Sequence, residues 1–235
     1  MNPTAIEWTH VFGPGSGFTW NPVVGCTNGC TYCYARRVAK RQPCALCKSF
    51  TPHLHEERLE QPLHRKKRAG IFICSMGDLW DRHVPQAWRD RVWEVVAATP
   101  QHVYWVLTKQ PQNFTGPDHE AFCHNTNLWV GITVTQGRVQ RGAPMHGNTF
   151  VSIEPLLGEI VWDSRLRDWA HWLIIGAQTG PGAKPPSEDQ VQRVLNGAWD
   201  WFTPAIFLKR NLIPVMGERY VRAHQQWPVE MQGRE

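Results

Sequence analysis

F-T-W-N-P-V-V-G-C-T-N-G-C-T-Y-C-Y-A-R-R-V-A-K-R, residues 18–41, sets a strand, a cysteine loop and a helix in immediate succession. Phe18 to Val24 carry aromatic and β-branched residues, the composition of a pleated, buried strand. From Tyr34 to Arg41, Ala, Val and basic residues recur at helical spacing. Cys26, Cys30 and Cys33 therefore fall in a loop between a strand and the helix that follows it. Three thiolates in so short a loop can grip three corners of a [4Fe–4S] cube, whereas a cluster kept only for electron transfer usually takes four cysteines. The fourth iron is left open to another ligand.

A rival reading makes Cys26, Cys30 and Cys33 three of four zinc ligands, completed by Cys44, Cys47 or a histidine. Zinc sites more often come as paired C-x-x-C knuckles, and the x-x-x then x-x spacing with a following helix favours the open cluster. Cys44 and Cys47 form a separate C-x-x-C inside a polar insertion at about residues 42–68, followed by His53, His55 and His64. Cys44, Cys47, His53 and His55 would make a closed structural zinc site that holds a poorly packed loop in place; the alternative is a pair of free thiols. The insertion ends in His64-Arg65-Lys66-Lys67-Arg68, which reads equally as phosphate contacts or as a solvated face. Cys74 lies inside an apolar run, where a cysteine behaves as a small hydrophobe, and Cys123 has no evident partner.

At 235 residues, with 42% hydrophobic and 19% charged residues, the chain suits one domain, 1–235, with a sizeable core. No run of about eighteen apolar residues appears, and the N-terminus lacks a basic start followed by an apolar stretch, so a cytoplasmic protein without membrane contact is expected. Five of the seven cysteines lie within residues 26–47, a spacing suited to metal ligation in a reducing compartment. The net charge of +5 tolerates a polyanionic partner without announcing one. Thirteen tryptophans could stack on bases, but large aromatics are mostly spent on the core.

Further apolar runs follow at 71–75, 103–107, 128–132, 150–153, 172–176 and 205–208. Their unbroken apolarity suits strands buried on both faces of a parallel sheet. Between them, residues 85–98 place Trp88, Val92, Val95 and Val96 on one helical face behind Pro85, and residues 187–202 do likewise from Ser187 through Val191, Val194, Leu195 and Trp199. Repeated strand–helix units predict an α/β fold, a partial or near-complete parallel (β/α) barrel of about six to seven strands. Polar residues just past the strands then become site candidates: Met76, Gly77 and Asp78, then Thr108 and Lys109, Thr133, Glu154, Gln178 and Lys209.

The C-x-x-x-C-x-aromatic-C pattern, with Tyr32 as the aromatic, resembles the radical S-adenosylmethionine (SAM) superfamily. S-M-G-D-L-W-D at 75–81 stands where that superfamily binds the SAM amino group, with Gly77 allowing close approach and Asp78 matching an ammonium. R-L-E-Q-P-L at 58–63, L-T-K-Q-P at 107–111, W-V-G-I-T-V at 129–134 and S-I-E-P-L-L-G at 152–158 extend the likeness. Together these segments resemble a phage-associated family of unknown function related to radical SAM proteins. Two departures stand out: the gap between the first two cysteines is the short radical SAM one, and G-A-Q-T-G replaces the family's G-G-E-S-G, so the carboxylate expected at Gln178 is absent.

The resemblance implies an enzyme in which Cys26, Cys30 and Cys33 hold a [4Fe–4S] cluster and SAM chelates its open iron. An electron from a flavodoxin- or ferredoxin-type donor then yields a 5′-deoxyadenosyl radical. Tyr32, Met76, Gly77, Asp78, Thr108, Thr133 and Gln178 would hold the cofactor, with Glu154, Lys109 and Lys209 as catalytic candidates. The implied substrate is a modified or damaged nucleobase in phage DNA, rearranged as by an isomerase or repaired in the host cytoplasm. The alternative is a zinc-stabilised nucleic-acid-binding protein without catalysis.

Overall fold

The computed structural model describes residues 1–139, 147–163, 169–201 and 205–232. Cα packing divides the chain into two compact units, Met1–Val130 and Gly131–Glu235.

In the first unit, β1 (Asn2–Pro3), β2 (Gly17–Trp20) and β3 (Val23–Val24) precede helices α1 (Tyr34–Ala39) and α2 (Ala45–Ser49). After them come β4 (His53–Leu54), β5 (Gly70–Ile73), α3 (Gln86–Ala98), β6 (Val103–Thr108), α4 (Gly116–His124) and β7 (Leu128–Thr133), the last crossing the unit boundary. β2 runs parallel to β5, with Phe18 opposite Ile71, and β5 runs parallel to β6, with Ile71 opposite Tyr104. Trp20, Ile71, Ile73, Trp80, Val92, Val96, Tyr104 and Val106 fill one core. Each large apolar side chain so buried contributes about 1.5–3 kcal/mol.

Helix α3 starts behind Pro85 and buries Val92, Trp93, Val95 and Val96, as its apolar spacing predicts. It meets α4 around the fully buried Asp118, which sequence reading missed. The Asp118 carboxylate accepts from Arg89 Nε (3.1 Å), Trp80 Nε1 (3.1 Å), Trp93 Nε1 (3.2 Å) and Thr115 Oγ1 (2.9 Å). Burial alone would raise its pKa, but the Arg89 guanidinium and these donors hold it below the usual carboxylate range. Every acceptor position is served, so the buried charge specifies how the two helices dock.

The second unit holds β8 (Gly137–Arg138), β9 (Asn148–Ile153), β10 (Ile160–Val161), β11 (Trp172–Ile175), α5 (Glu188–Trp201) and β12 (Ala205–Leu208). Short helices α6 (Ile213–Met216), α7 (Glu218–Ala223) and α8 (Val229–Gln232) end it. β11 lies parallel between β9 and β12, and β8 pairs with β10 in a separate parallel ribbon. Ser187 caps α5, its Oγ accepting from Gln190 N at 3.1 Å while Gln190 Oε1 accepts from Ser187 N at 2.8 Å. Val191, Val194 and Leu195 are buried as expected, whereas Trp199, placed on the same face by spacing, is 43% exposed.

The expected parallel barrel is not what forms. The hydrogen-bonded strand order β1-β2-β5-β6-β7-β9-β11-β12 makes an eight-stranded sheet that is mixed and does not close. β1 pairs antiparallel with β2, setting Asn2 opposite Thr19, and so occupies the edge that closure would need. β12 likewise has its free edge taken: Leu208 N donates to His224 O at 2.8 Å and Gln226 N donates to Ile206 O at 2.9 Å. Covered edges remove the exposed ladder groups without barrel closure. Among the described residues, no helix is long and apolar enough to cross a membrane.

Candidate functional site

The cysteine loop hangs from β3, whose partner is β4, with Val24 opposite His53 and Val23 opposite Leu54. Gly25 follows at φ 100°, and a Cβ there would meet the Thr51 carbonyl at 2.4 Å, so only glycine fits. Gly25 N donates to Met76 O (3.0 Å) and Cys26 N to Phe50 O (3.2 Å). Thr27 then gives its backbone N–H (2.6 Å) and its hydroxyl (2.8 Å) to Asp81 Oδ2. Each of the three loop sulfurs accepts an N–H: Cys26 from Asn28 N (3.4 Å), Cys30 from Asn28 Nδ2 (3.3 Å), and Cys33, the cap of α1, from Arg36 N (3.4 Å). Hydrogen bonds to ligand sulfurs are one of the means by which a protein tunes an iron–sulfur cluster.

Burial pushes the Cys26 thiol up to about 12, against the opposing Asn28 N–H, so the metal-free loop keeps its proton there. A cleft of about 320 Å³ opens beside it, lined by Cys26, Thr27, Arg36, Phe50, Thr51 and His83 among others. Arg36 stacks on Phe50 at 5.0 Å and donates to Cys26 O at 3.1 Å, tying the first turn of α1 back across the loop.

Beneath the loop, the segment after β5 carries the residues read from sequence as SAM contacts. Asn21 Oδ1 accepts from Met76 N (2.9 Å) and Ser75 Oγ (3.1 Å), fixing that segment. A Cβ on Gly77 would lie 2.9 Å from Gly25 O, so glycine is what lets the two loops touch. Asp78 is buried, and its oxygens accept from Trp80 N (3.0 Å), Thr108 Oγ1 (2.8 Å) and Lys109 N (3.0 Å). Burial raises its pKa despite those donors. Asp78 and Thr108 thus tie the ends of β5 and β6 together. Lys109 reaches the loop instead: its Nζ sits 5.9 Å from the ring centroid of Tyr32.

Four of the remaining candidates belong to the second unit. Glu154 and Lys209 form a partly buried ion pair, Oε1 to Nζ. Thr133 and Gln178 are half-buried at the ends of β7 and beyond β11. Asn211, which no sequence pattern indicated, exchanges two hydrogen bonds with the Ala177 backbone (3.1 and 2.9 Å) and sets the path of the chain next to Gln178.

The insertion brings a second set of ligand types together. The ligand atoms of Cys44, Cys47, His53 and His55 all lie within 4.8 Å of one another, and the described residues contain one group of this closeness. His53 Nε2 is 3.5 Å from Cys44 Sγ and 3.4 Å from Cys47 Sγ, and His55 Nε2 is 3.3 Å from Cys47 Sγ. A tetrahedral zinc with Zn–S of about 2.3 Å and Zn–N of about 2.0 Å implies sulfur–nitrogen edges of about 3.5 Å. The outer ring nitrogens are engaged, His53 Nδ1 with Thr51 O (2.7 Å) and His55 Nδ1 with Glu57 Oε1 (2.8 Å), which turns both Nε2 atoms inward. Burial lifts the Cys47 thiol to about 11, while the Cys47 backbone N–H lowers that of Cys44. These four residues can hold a metal ion such as zinc.

The basic run is divided in two. Arg65 stacks on Phe18 (4.0 Å) and Arg68 on Phe12 (4.3 Å), while His64, Lys66 and Lys67 face solvent.

Residues 3–209 match a family described as a protein of unknown function, DUF5131. The chain belongs to this family. No curated protein and no solved structure matches it. In this DUF5131 protein, sequence reasoning found the metal-ligand types but missed Asn21, Phe50 and Asp81, which set the loop's shape. Their partners across the loop, Met76, Cys26 and Thr27, lie 55, 24 and 54 positions away, beyond any local pattern.

Proposed function

We propose that this DUF5131 protein is a radical SAM enzyme whose Cys26, Cys30 and Cys33 hold a [4Fe–4S] cluster. The observation that carries the reading is that all three sulfurs, spaced C-x-x-x-C-x-x-C in a loop between β3 and α1, accept an N–H. Cys26, Cys30 and Cys33 would hold the cluster, which with SAM and an electron from a flavodoxin- or ferredoxin-type donor would supply 5′-deoxyadenosyl radical chemistry. The chain's own part is binding and placement. Asn28 and Arg36 donors balance thiolate charge and tune the potential. Tyr32 and Lys109 stand at the loop, where an ammonium suits the SAM carboxylate. Met76 and Gly77 bring the β5 segment against the loop, and Asp78 and Thr108 keep that segment in register with β6.

In the second unit, the Glu154–Lys209 pair offers a proton carrier beside a cation, with Thr133 and Gln178 as hydrogen-bonding candidates. The substrate proposed is a nucleobase in DNA, of phage origin, acted on in the cytoplasm; the net charge of +5 is compatible with that polyanion. The test is anaerobic reconstitution with iron and sulfide, then incubation with dithionite and SAM. Release of 5′-deoxyadenosine that Cys30→Ala abolishes supports the reading, and equal release by that variant refutes the ligand assignment.

A second reading, a zinc-stabilised nucleic-acid-binding protein without catalysis, is favoured by the convergence of Cys44, Cys47, His53 and His55. Protein that takes up zinc but no iron or sulfide, and cleaves no SAM, would select it.

A further inference from the structure

We propose that Cys44, Cys47, His53 and His55 bind one zinc ion as a closed structural site, and that this zinc clamps the backbone from which the three-cysteine loop hangs. The zinc site stands independently of the cluster reading; only its effect on cluster loading rests on it.

Four protein ligands complete a tetrahedral shell and leave no position for a substrate, which separates a structural from a catalytic zinc. Two sulfurs and two imidazole nitrogens suit zinc and exclude the oxygen-loving magnesium and calcium. The four ligand atoms converge within 4.8 Å, on one ion. A cubane instead takes each ligand at a different iron. Without a cation, His53 Nε2 and His55 Nε2 face each other at 2.9 Å, with the two sulfurs 3.3–3.5 Å from them, in a largely buried space. Their Nδ1 atoms are already engaged with Thr51 O and Glu57, so both inward nitrogens present lone pairs when those bonds are donated. A cation resolves that repulsion.

The clamping follows from what the segment touches. His53 sits in β4 opposite Val24, His55 N donates to Pro22 O at 2.7 Å, and Phe50 O receives Cys26 N at 3.2 Å. Phe50 forms a small buried cluster with Ala35 and Ala39, against which Cys26, Cys33 and Met76 pack. Yet the segment's own regular structure is five residues of α2 and two of β4. Elements that short do not hold themselves in water, and a metal supplies the missing constraint.

The experiment uses the full chain. Purified aerobically, it should carry about one zinc by elemental analysis; exchanged for cobalt(II), it should give the visible bands of a tetrahedral ion with thiolate ligands. Cys44→Ser and His55→Ala should lose those bands, and Cys30→Ala should keep them. Because His55→Ala also empties a buried position, His55→Cys serves as the rescue: it keeps four ligands and should keep the metal. Amide exchange at Cys26 should rise about tenfold or more in His55→Ala and stay near wild type in His55→Cys. Iron and sulfide uptake should follow the same order. Cobalt that stays octahedral, bands that Cys30→Ala removes, or no zinc at all would overturn the site. Normal Cys26 exchange in zinc-free protein would overturn the clamp. Failure of wild-type protein to take up iron, with zinc and the exchange pattern as described, would count against the cluster reading alone.

Discussion

Thr27 gives both its backbone N–H and its hydroxyl to one carboxylate oxygen of Asp81, 54 positions along the chain. This places a fixed negative group directly under the cysteine loop. The other Asp81 oxygen accepts from His83 N (3.0 Å) and lies 3.1 Å from His83 Nδ1. Burial by itself would raise the Asp81 pKa, but these hydrogen bonds outweigh it and bring it to about 2.

A pH dependence follows. Because the folded-state pKa lies below the ordinary value of 3.8, the stabilisation is fully present above that value and is lost as pH falls from about 4 towards about 2. Its size is about 2 kcal/mol. Urea unfolding of the metal-free chain between pH 5 and 2.5 should therefore show wild type losing about that much more stability than Asp81→Asn. Parallel losses in the two proteins would remove the account of Asp81.

Gly25 and Gly13 both have φ near 100°, at 100° and 96°, but differ in their surroundings. Gly25→Ala adds a Cβ against the Thr51 carbonyl, whereas Gly13→Ala meets nothing within 4 Å. We expect the first to cost about 3 kcal/mol or more and the second about 1 kcal/mol. Thermal unfolding of the two variants checks the difference, and equal costs would mean that β3 and residue 51 are not held in contact.

Removing Asp118 leaves Arg89, Trp80 and Trp93 donors buried without their acceptor. Asp118→Ala should destabilise the chain by about 3–5 kcal/mol. Asp118→Ala combined with Arg89→Met should cost less than the sum of the single changes, because the orphaned cation is gone. Additive costs in denaturant unfolding would contradict that coupling.

Lys109→Met tests the cofactor end of the proposal. Loss of one charge-assisted contact to a carboxylate should weaken SAM use about tenfold to a hundredfold, with iron content unchanged. The SAM concentration dependence of 5′-deoxyadenosine release measures it. An unchanged dependence would remove Lys109 from the cofactor's surroundings.

Much of this was legible in residue order. The apolar runs gave β5, β6, β7, β9, β11 and β12, and the spacing behind Pro85 gave α3, because burial leaves a local periodic trace. The pairing of Cys44 and Cys47 with His53 and His55 was also readable, since all four lie within a short insertion. Closure was not: continuous strands encode burial on two faces, and only the folded chain reveals that Asn2–Pro3 and residues 224–226 take the sheet's edges. Asp78 and Thr108, read as ligand contacts, bond to each other (2.8 Å), since a polar residue after a strand has the same appearance in either role. Asp81 and Asp118 escaped notice because the partners that give them their weight, Thr27 for the one and Trp80, Arg89 and Trp93 for the other, lie 25 to 54 positions away.

In the function proposed, Cys26, Cys30 and Cys33 leave one iron open to SAM. Electron paramagnetic resonance of the anaerobically reconstituted, dithionite-reduced full chain, recorded with and without SAM, tests it most directly. A reduced [4Fe–4S] signal is expected that changes when SAM is added and that Cys30→Ala lacks. A folded wild-type protein giving no such signal, or one that SAM leaves unchanged, would contradict it.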